Sequence, residues 1–250
     1  MHRRNMTSRV AHRATLISIV TALSIVACAS STNRVASADS GESPDGAEVI
    51  DRFEDAAALV REFQGKLPDS VTKEARCVVV IPSMVRGGII VGGRHGEGFA
   101  ICRTPAYMDE DWSAPAPVSV SGGSAGAQIG VESVDVLMLV QSDEGMRKLL
   151  GSKFQLGVDV SASAGPLGRG REAATDPSMK AEVLSYTRSR GLFAGAELGG
   201  TVVKQDEDAT RVVYGNTAPS IRTLLTSNIG PSGDGRASWH FIKAVRETMR

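Results

Sequence analysis

The stretch that decides the fold is residues 75–103, ARCVVVIPSMVRGGIIVGGRHGEGFAICR. Three short apolar runs, Cys77–Ile81, Ile89–Val91 and Phe99–Cys102, are separated by Pro82-Ser83 and by glycine clusters, a pattern that predicts a three-stranded meander. The first run is apolar at every position, so both of its faces are expected to be covered by other parts of the protein. The meander is therefore predicted to lie at the centre of the fold.

The composition indicates a folded, glycine-rich domain. The 250 residues are 42% hydrophobic, enough to bury one good-sized core, and 27 glycines with only 4% aromatic residues favour a tightly turned sheet. The net charge is zero, but residues 1–27 hold four arginines and no acid, so the remainder has 28 − 4 = 24 basic and 28 acidic residues, a net charge of −4. A slightly acidic domain binds nucleic acid poorly. No nucleic-acid partner is predicted, and any phosphate site must be a local basic patch.

The N-terminus has the pattern of a lipoprotein signal peptide. Basic residues 2–13 precede the apolar run Ala14–Ala27, which is shorter than the ~20 residues of a comfortable membrane span. Ile25-Val26-Ala27-Cys28 resembles a bacterial lipobox, whose cysteine receives fatty acyl chains such as palmitate. Several acyl chains hold a protein at the membrane durably, because each buried methylene group contributes about 0.8 kcal/mol to the free energy of membrane binding. We predict a signal peptide over 1–27 and a lipid anchor on Cys28, with an ordinary cleaved signal as the alternative.

Residues 28–46 are predicted to be a disordered tether. Ser30–Gly46 is rich in Ser, Asp, Gly and Pro and has almost no large apolar residue. The residue after the cysteine is Ala29 rather than the aspartate associated with retention in the inner membrane. The expected location is therefore the cell envelope, lipid-anchored and facing the periplasm from the outer membrane.

Residues 47–250 are predicted to form a single domain with its core at about 70–215. Apolar residues at helical spacing predict an amphipathic helix over Ala47–Phe63 with Asp45 as its N-cap. Short helices are predicted at 69–74, 142–150, 218–226 and 238–250, and strands beyond the meander at 115–120, 131–140, 154–164, 182–187, 192–196 and 201–204. Pro115 and Pro117 place the first of these strands at a sheet edge. The expected fold is α+β and predominantly antiparallel β, a twisted or barrel-like sheet with short C-terminal helices.

An enzymatic function is not predicted. Gly122-Gly-Ser-Ala-Gly126 matches the nucleophile elbow of serine hydrolases, but that elbow requires a strand-to-helix turn and a downstream acid and histidine. The residues after it are predicted to be a strand, and the only later histidine, His240, lies in a predicted terminal helix. No catalytic residue is therefore assigned, and a serine hydrolase using Ser124 remains a remote alternative.

Neither a cofactor nor a metal is predicted. The glycine-rich segments 92–98 and 165–170 lack the Gly-Lys-Ser/Thr ending of a phosphate-binding loop, and we interpret both as tight turns with positive φ. His95 and His240 have no clustered partners in the sequence, and no zinc-type spacing of cysteine and histidine occurs.

Cys77 and Cys102 are candidates for a disulfide. They lie in the predicted meander, 102 − 77 = 25 residues apart, and an oxidising compartment favours a bridge that would contribute roughly 3.5 kcal/mol through loop entropy. The bridge requires the first and third predicted strands to be neighbours. Two buried free thiols are the alternative.

The chain resembles the SYLF family of lipid-binding domains over about residues 70–215. The resemblance begins with Ala75-x-Cys-Val-x-x-Ile-Pro-Ser83 and Val91-Gly-Gly-x-x-Gly-x-Gly98. It continues in Trp112–Pro115, Gly122–Gly130, Asp135–Val140, Lys153–Gly157, Ser163–Arg169, Tyr186–Gly195 and Tyr214-Gly215. Membership implies a non-catalytic lipid-binding domain. Eukaryotic members associate with phosphoinositide membranes and some with actin. A bacterial lipoprotein has neither the usual phosphoinositides nor actin available, so the resemblance implies only binding of lipid or phospholipid head groups.

The resemblance also indicates where a membrane would be contacted. In the family, contact is associated with the N-terminal part of the domain, where the matching basic residues are Lys66, Lys73, Arg76 and Arg86. Predicted hairpin tips add Arg94, Arg188 and Arg190. Arginine is suited to bidentate contact with phosphate, and a solvated surface charge is the alternative at each position.

The predicted function is therefore a non-catalytic lipid- or phospholipid-binding lipoprotein tethered to the bacterial cell envelope, with the phospholipid membrane as its partner. The alternative is a structural or scaffolding envelope protein that binds a protein partner through the sheet.

Overall fold

The computed structural model describes residues 44–88, 91–104, 112–125, 130–168, 180–232 and 235–250. The predicted signal peptide, Cys28 and all of the predicted tether except residues 44–46 lie outside these ranges. The described residues belong to one compact unit, Glu42–Arg250. None of the helices in this described part of the chain combines the length and the apolar character that crossing a membrane requires.

A single curled sheet forms the centre of the domain. Its nine strands are β1 (Cys77–Gly88), β2 (Val91–Cys102), β3 (Ala116–Ala125), β4 (Gly130–Val140), β5 (Lys153–Gln155), β6 (Ala162–Ala164), β7 (Val183–Ser189), β8 (Leu192–Gly195) and β9 (Val202–Gln205). Eight strands follow the order β5-β9-β3-β2-β1-β4-β7-β6, and β8 pairs with the second half of β7. Only β6 and β7 pair in parallel. The strands at the two ends, β5 and β6, are separated in the chain by residues 156–161 alone, and the sheet curls as a half-barrel.

The two longest helices cover one face of this sheet, which we call the helix face. The helices are α1 (Gly46–Phe63), α2 (Asp69–Glu74), α3 (Asp143–Leu149), α4 (Glu207–Tyr214), α5 (Ile221–Leu225) and α6 (Arg236–Thr248). Phe53 of α1 stacks on Phe99 of β2 with ring centroids 3.7 Å apart, and Phe63 meets the edge of Tyr186 of β7 at 6.0 Å. The long helix therefore crosses the sheet from β2 to β7. Phe241 of α6 lies 6.1 Å from Phe53 and closes the same layer.

The predicted fold class is confirmed, as is the N-terminal amphipathic helix. Asp45 is the N-cap of α1, where its carboxylate accepts a hydrogen bond from the Glu48 backbone N–H at 2.7 Å. The sequence prediction missed α4. Its signal was present, since Asp206 caps it by accepting from the Ala209 N–H at 2.9 Å and two acids follow in the first turn.

The prediction of a three-stranded meander is wrong. Residues 77–102 form one long antiparallel hairpin of β1 and β2, with Cys77 opposite Cys102 and Gly88 opposite Gly92. Ile89 and Ile90, in the predicted middle strand, lie outside the described residues. The interpretation of 92–98 as a turn is also wrong, because Gly92–Gly98 lies inside β2, where all of it pairs with β3 and its first four residues also pair with β1. In the second glycine-rich segment, Gly168 has a φ of +99°, as predicted, whereas Gly165 packs against Tyr186.

A bulge in β1 explains the strand glycine at position 98. From Val80 to Val85, β1 advances 85 − 80 = 5 residues, while β2 advances 99 − 95 = 4 from Phe99 to His95, so β1 holds one extra residue. Its backbone presses onto β2, where a Cβ on Gly98 would lie 1.9 Å from the Val80 carbonyl oxygen. Glycine is required at Gly98 because the obstruction is backbone.

Two other strand predictions are corrected by the sheet order. β3 is not an edge strand, since it pairs with β2 on one side and with β9 on the other. Pro117 has no N–H to donate, and the pairing with β9 begins at the next residue, Val118. The predicted strand 154–164 is two short strands, β5 and β6, with a turn at 157–159 between them. Apolar and polar residues alternate through this turn as they would in a strand, so the sequence pattern did not reveal the turn.

The disulfide between Cys77 and Cys102 is formed in the structure, at a Cα–Cα distance of 4.0 Å. The two residues are direct partners across β1 and β2 and are fully buried. The first and third predicted strands are therefore neighbours, as the bridge requires, although they are the two strands of one hairpin.

Candidate functional site

Two of the predicted basic residues are direct neighbours across the sheet. Arg86 of β1 lies opposite Arg94 of β2 on one side and opposite Glu132 of β4 on the other. Cross-strand partners share a face, and Arg94 is five residues from Phe99, so this row lies on the face opposite the helix face. The row runs across the end of the sheet that is remote from the disulfide.

Glu132 holds one of these arginines. Arg86 donates to Glu132 Oε2 from Nε at 3.2 Å and from Nη2 at 2.9 Å, and the Ser189 hydroxyl donates to Oε1 at 3.0 Å. The hydrogen bonds from Arg86 and Ser189 lower the pKa of the Glu132 carboxyl below its ordinary value. The carboxylate therefore stays ionised at neutral pH and ties β1 to β7.

Arg94 has no carboxylate partner among the described residues. Its Nη2 donates to the Gly123 carbonyl at 3.1 Å, and burial together with the Arg86 charge lowers the pKa of its guanidinium from the ordinary value. The Arg94 side chain passes over Gly122, where a Cβ would lie at a contact distance of 3.5 Å from Arg94 Cγ. Two like charges thus sit side by side at the sheet end.

The same end of the sheet carries the most exposed aliphatic side chains of the described residues. Val131 is 81% exposed, Leu192 77% and Val158 72%. Val131 lies opposite Gly87 of β1 and, as the neighbour of Glu132 in β4, projects from the helix side of this sheet end. Leu192 lies opposite Ser189, which bonds to Glu132. Val158 is in the turn after β5.

The register across β5, β9 and β3 places that turn at the same end of the sheet as Arg94, with β9 and β3 between them. Gln155, the last residue of β5, pairs with Val202 of β9, and Val202 pairs with Ser121 of β3. Ser121 directly precedes Gly122, the partner of Arg94. A Cβ on Gly122 would be 3.0 Å from the Gly200 carbonyl, next to the same turn.

We call this end of the sheet, with side chains from both of its faces, the rim. It consists of Arg86, Arg94, Arg190, Val131, Val158 and Leu192. Arg190 belongs to it because it forms the tip of the β7–β8 hairpin, with a φ of +49°, and its charge acts on Glu132. Asp159 and Glu197 also lie at this end; Asp159 accepts from the Gln155 N–H at 2.7 Å. Acids and arginines therefore nearly balance, and the rim is amphipathic rather than strongly basic.

The other predicted head-group residues lie elsewhere. Arg188 forms ion pairs with Glu62 of α1 and Asp135 of β4, and Asp135 also accepts from the Ser83 N–H in the bulge at 2.9 Å. Arg76 pairs with Asp143 at 3.1 Å near the opposite end of β1. Lys66 lies 4.2 Å above the Phe193 ring, and Lys73 is exposed in the last turn of α2. The structure therefore brings together Arg86 and Arg94, with Arg190 nearby. The four basic residues described in this paragraph lie apart from that group.

Sequence reasoning missed the aliphatic half of the rim and Glu132. A signal for the aliphatic residues existed, because Val131, Val158 and Leu192 each directly follow a glycine. Glu132 had no comparable signal, since its role depends on the pairing of β4 with β1.

The motifs that were set aside lie away from the rim or lack the required geometry. Ser124 lies within β3, and the next described element is the strand β4, so the strand-to-helix turn of a nucleophile elbow is not found there. His240 Nδ1 lies 2.9 Å from Glu54 Oε1 across α6 and α1, in a groove of about 400 Å³ with mixed charges. In the described part of the chain, no three side chains of His, Cys, Asp or Glu come together as metal ligands would.

The fold is thus an α+β domain with a curled sheet, and its candidate site is a surface of arginine and aliphatic side chains. The family model described as "Ysc84: Las17-binding protein actin regulator" matches residues 121–245. The chain therefore belongs to the Ysc84 family, and the predicted SYLF membership is confirmed.

Relatives of known name are found in fungi and animals. The chain is 36% identical over 168 residues to Protein YSC84 of Saccharomyces cerevisiae, covering 65% of this chain and 34% of that protein. It is 33% identical over 170 residues to LAS seventeen-binding protein 3 of the same species, covering 66% and 36%. It is 30% identical over 169 residues to the human SH3 domain-containing YSC84-like protein 1, covering 64% and 48%. The chain thus spans about a third to a half of the length of these relatives.

Proposed function

We propose that this domain binds phospholipid membranes without catalysis and that the rim is its contact surface. The observation that carries the proposal is that the three most exposed aliphatic side chains of the described residues share one end of the sheet with three arginines. Aliphatic side chains that leave water for the acyl-chain boundary contribute about 25 cal/mol per Å². The guanidinium groups beside them can bind phosphate oxygens at the depth of the head groups.

Because positive and negative charges nearly balance at the rim, long-range electrostatic attraction would contribute little to membrane binding. Long-range attraction to an anionic surface requires excess positive charge, and Glu132, Asp159 and Glu197 offset the rim arginines. The apolar side chains are therefore the main source of affinity in this proposal, and the arginines act locally on phosphate. We expect only a weak dependence of vesicle binding on salt.

The proposal includes the cell-envelope lipoprotein predicted from residues 1–28. Acyl chains on Cys28 would hold the domain at a membrane, on the outer-membrane side facing the periplasm, and the following residues would let the rim reach lipid. Metabolic labelling with palmitate tests this part. Wild type should be labelled and Cys28→Ala should not, and labelling of the variant would contradict the anchor.

Replacing Val131, Val158 and Leu192 together with serine is expected to lower vesicle affinity at least about tenfold. Full burial of one aliphatic side chain is worth about 1.5 kcal/mol or more, and 1.4 kcal/mol is a factor of ten in affinity. The measurement is co-sedimentation of purified residues 29–250, which contain the whole compact unit, with vesicles of phosphatidylcholine containing 20% phosphatidylglycerol.

The matched control replaces Ile50 and Trp239 with serine. These residues are 50% and 54% exposed on α1 and α6, away from the rim, so vesicle binding should stay at the wild-type level. Equal losses in both variants, or no binding by wild type, would reject the rim as the contact surface.

A protein-binding role is the second candidate, because the family description and the yeast relative are named for binding Las17. Trp239 is the most exposed large aromatic side chain of the described residues and lies beside the groove between α1 and α6. The same two variants separate the functions: loss of a protein partner with Ile50→Ser/Trp239→Ser, while the rim variant retains it, would favour this role.

A further inference from the structure

The row Arg94–Arg86–Glu132 is built like an anion site that is already occupied. Both Nε and Nη2 of Arg86 donate to a single carboxylate oxygen, at 3.2 and 2.9 Å, so this edge of the guanidinium group is directed at one anionic oxygen, as it can be at an oxygen of phosphate. Glu132 is 43% exposed, so this oxygen can exchange with an external anion. The carboxylate fills the position that a phosphate oxygen would take.

Among the described residues, three neighbours of the two arginines are glycines. Beyond them, towards the tip of the hairpin, the same face carries Gly88 and Gly92, which are paired with each other. Gly122 lies beside Arg94 on the neighbouring strand. With no side chain at these three positions, a group as large as phosphate can approach both guanidinium groups from the end of the sheet.

The charges also favour an incoming dianion over the resident carboxylate. Glu132 neutralises Arg86 but lies on the side away from Arg94, whose described contact is the neutral Gly123 carbonyl. An anion over both arginines would relieve their mutual repulsion, which Glu132 cannot do from its place in the row.

We propose that Arg86 and Arg94 form a binding site for a phosphate group and that Glu132 is its built-in competitor, which a bound phosphate displaces. This inference rests on the proposed membrane function for its lipid source, since the phosphate can belong to a lipid head group or be free in solution. Glu132 thereby sets the threshold for binding: monoester phosphates with two charges compete with it better than diesters with one.

Glu132→Gln tests the competitor directly. Glutamine keeps the shape, and its amide oxygen can accept from Arg86 while its NH2 group donates to the Ser189 hydroxyl, but it lacks the charge. Affinity for phosphatidylcholine vesicles with 20% phosphatidic acid should therefore rise about threefold, the scale of one exposed ion pair. Arg94→Gln should lower it by a similar factor. The control is Glu144→Gln, which makes the same charge change on α3, where Glu144 pairs with Arg147; it should leave binding unchanged.

Inorganic phosphate provides an independent arm. Titration into residues 29–250 should shift the NMR signals of the Arg86 and Arg94 Nε–H groups, more strongly in Glu132→Gln than in wild type. Phosphate shifts without vesicle binding would keep this site and reject the membrane function. Vesicle binding that depends on the aliphatic residues, with no phosphate shifts and no gain in Glu132→Gln, would reject the site and keep the membrane function.

Discussion

Gly98→Ala is expected to lower the free energy of unfolding by about 3 kcal/mol or more, the largest effect of any single substitution considered for this domain. The added Cβ would lie 1.9 Å from the Val80 carbonyl oxygen and 3.0 Å from Ile81 Cα. Both obstructing atoms are backbone and cannot rotate away. Relief requires the two central strands to separate where α1 packs through Phe53 on Phe99. Urea unfolding followed by circular dichroism measures the change.

Gly93→Ala is the matched control in the same strand. Its Cβ would meet no atom within 4 Å, and its φ is not positive, so we expect a change within about 0.5 kcal/mol. If Gly98→Ala were as stable as Gly93→Ala, the bulge would not press on β2 as described. Both substitutions replace a glycine of β2 with alanine, so the added methyl group by itself cannot account for a difference in stability between the two variants.

Removing the disulfide with Cys77→Ala/Cys102→Ala is expected to cost roughly 3.5 kcal/mol of stability. The bridge closes a loop with a sequence separation of 25, and loop-closure entropy in the unfolded chain sets this value. The two sulfur atoms lie in the core between β1 and β2, so a small packing loss adds to the entropy. The midpoint of urea unfolding should fall accordingly.

Reduction of the wild-type protein supplies the control for that experiment. A reductant should lower wild-type stability towards that of the double variant and leave the double variant unchanged. Non-reducing mass spectrometry that found two free thiols in the purified protein would contradict the bridge. Equal stability of the oxidised wild type and the variant would contradict its energetic role.

Local chemistry was enough to predict several elements of this fold. Asp45 before an amphipathic run specified the start of α1, because an N-cap and a helical apolar stripe depend only on neighbouring residues. The apolar run Cys77–Ile81 indicated a strand buried on both faces, and it is the central strand. The prediction failed at 154–164, where alternation alone cannot distinguish one strand from two strands with a turn between them.

The candidate site was predictable in part. Arg86 was predicted from the family resemblance and Arg94 as a hairpin-tip residue, but nothing local indicated that they are neighbours or that Glu132 would hold one of them. Arg188 was chosen at the same time as a hairpin-tip residue, yet it pairs with Glu62 and Asp135. The difference arises from which strands pair, and pairing is a long-range property of the chain.

By itself the sequence determined the membership of the family, the α+β class, the capped first helix and the two cysteines that could bridge. Only the tertiary structure decided which way Arg86 faces. Counting by twos from Val80 puts Arg86 on the helix face, and the one extra residue of the bulge moves it to the face of Arg94. That residue is accommodated because Gly96 and Gly98 leave space beneath β1 and because Asp135 binds the Ser83 N–H. These contacts come from β2 and β4, so no alternation within β1 could reveal them.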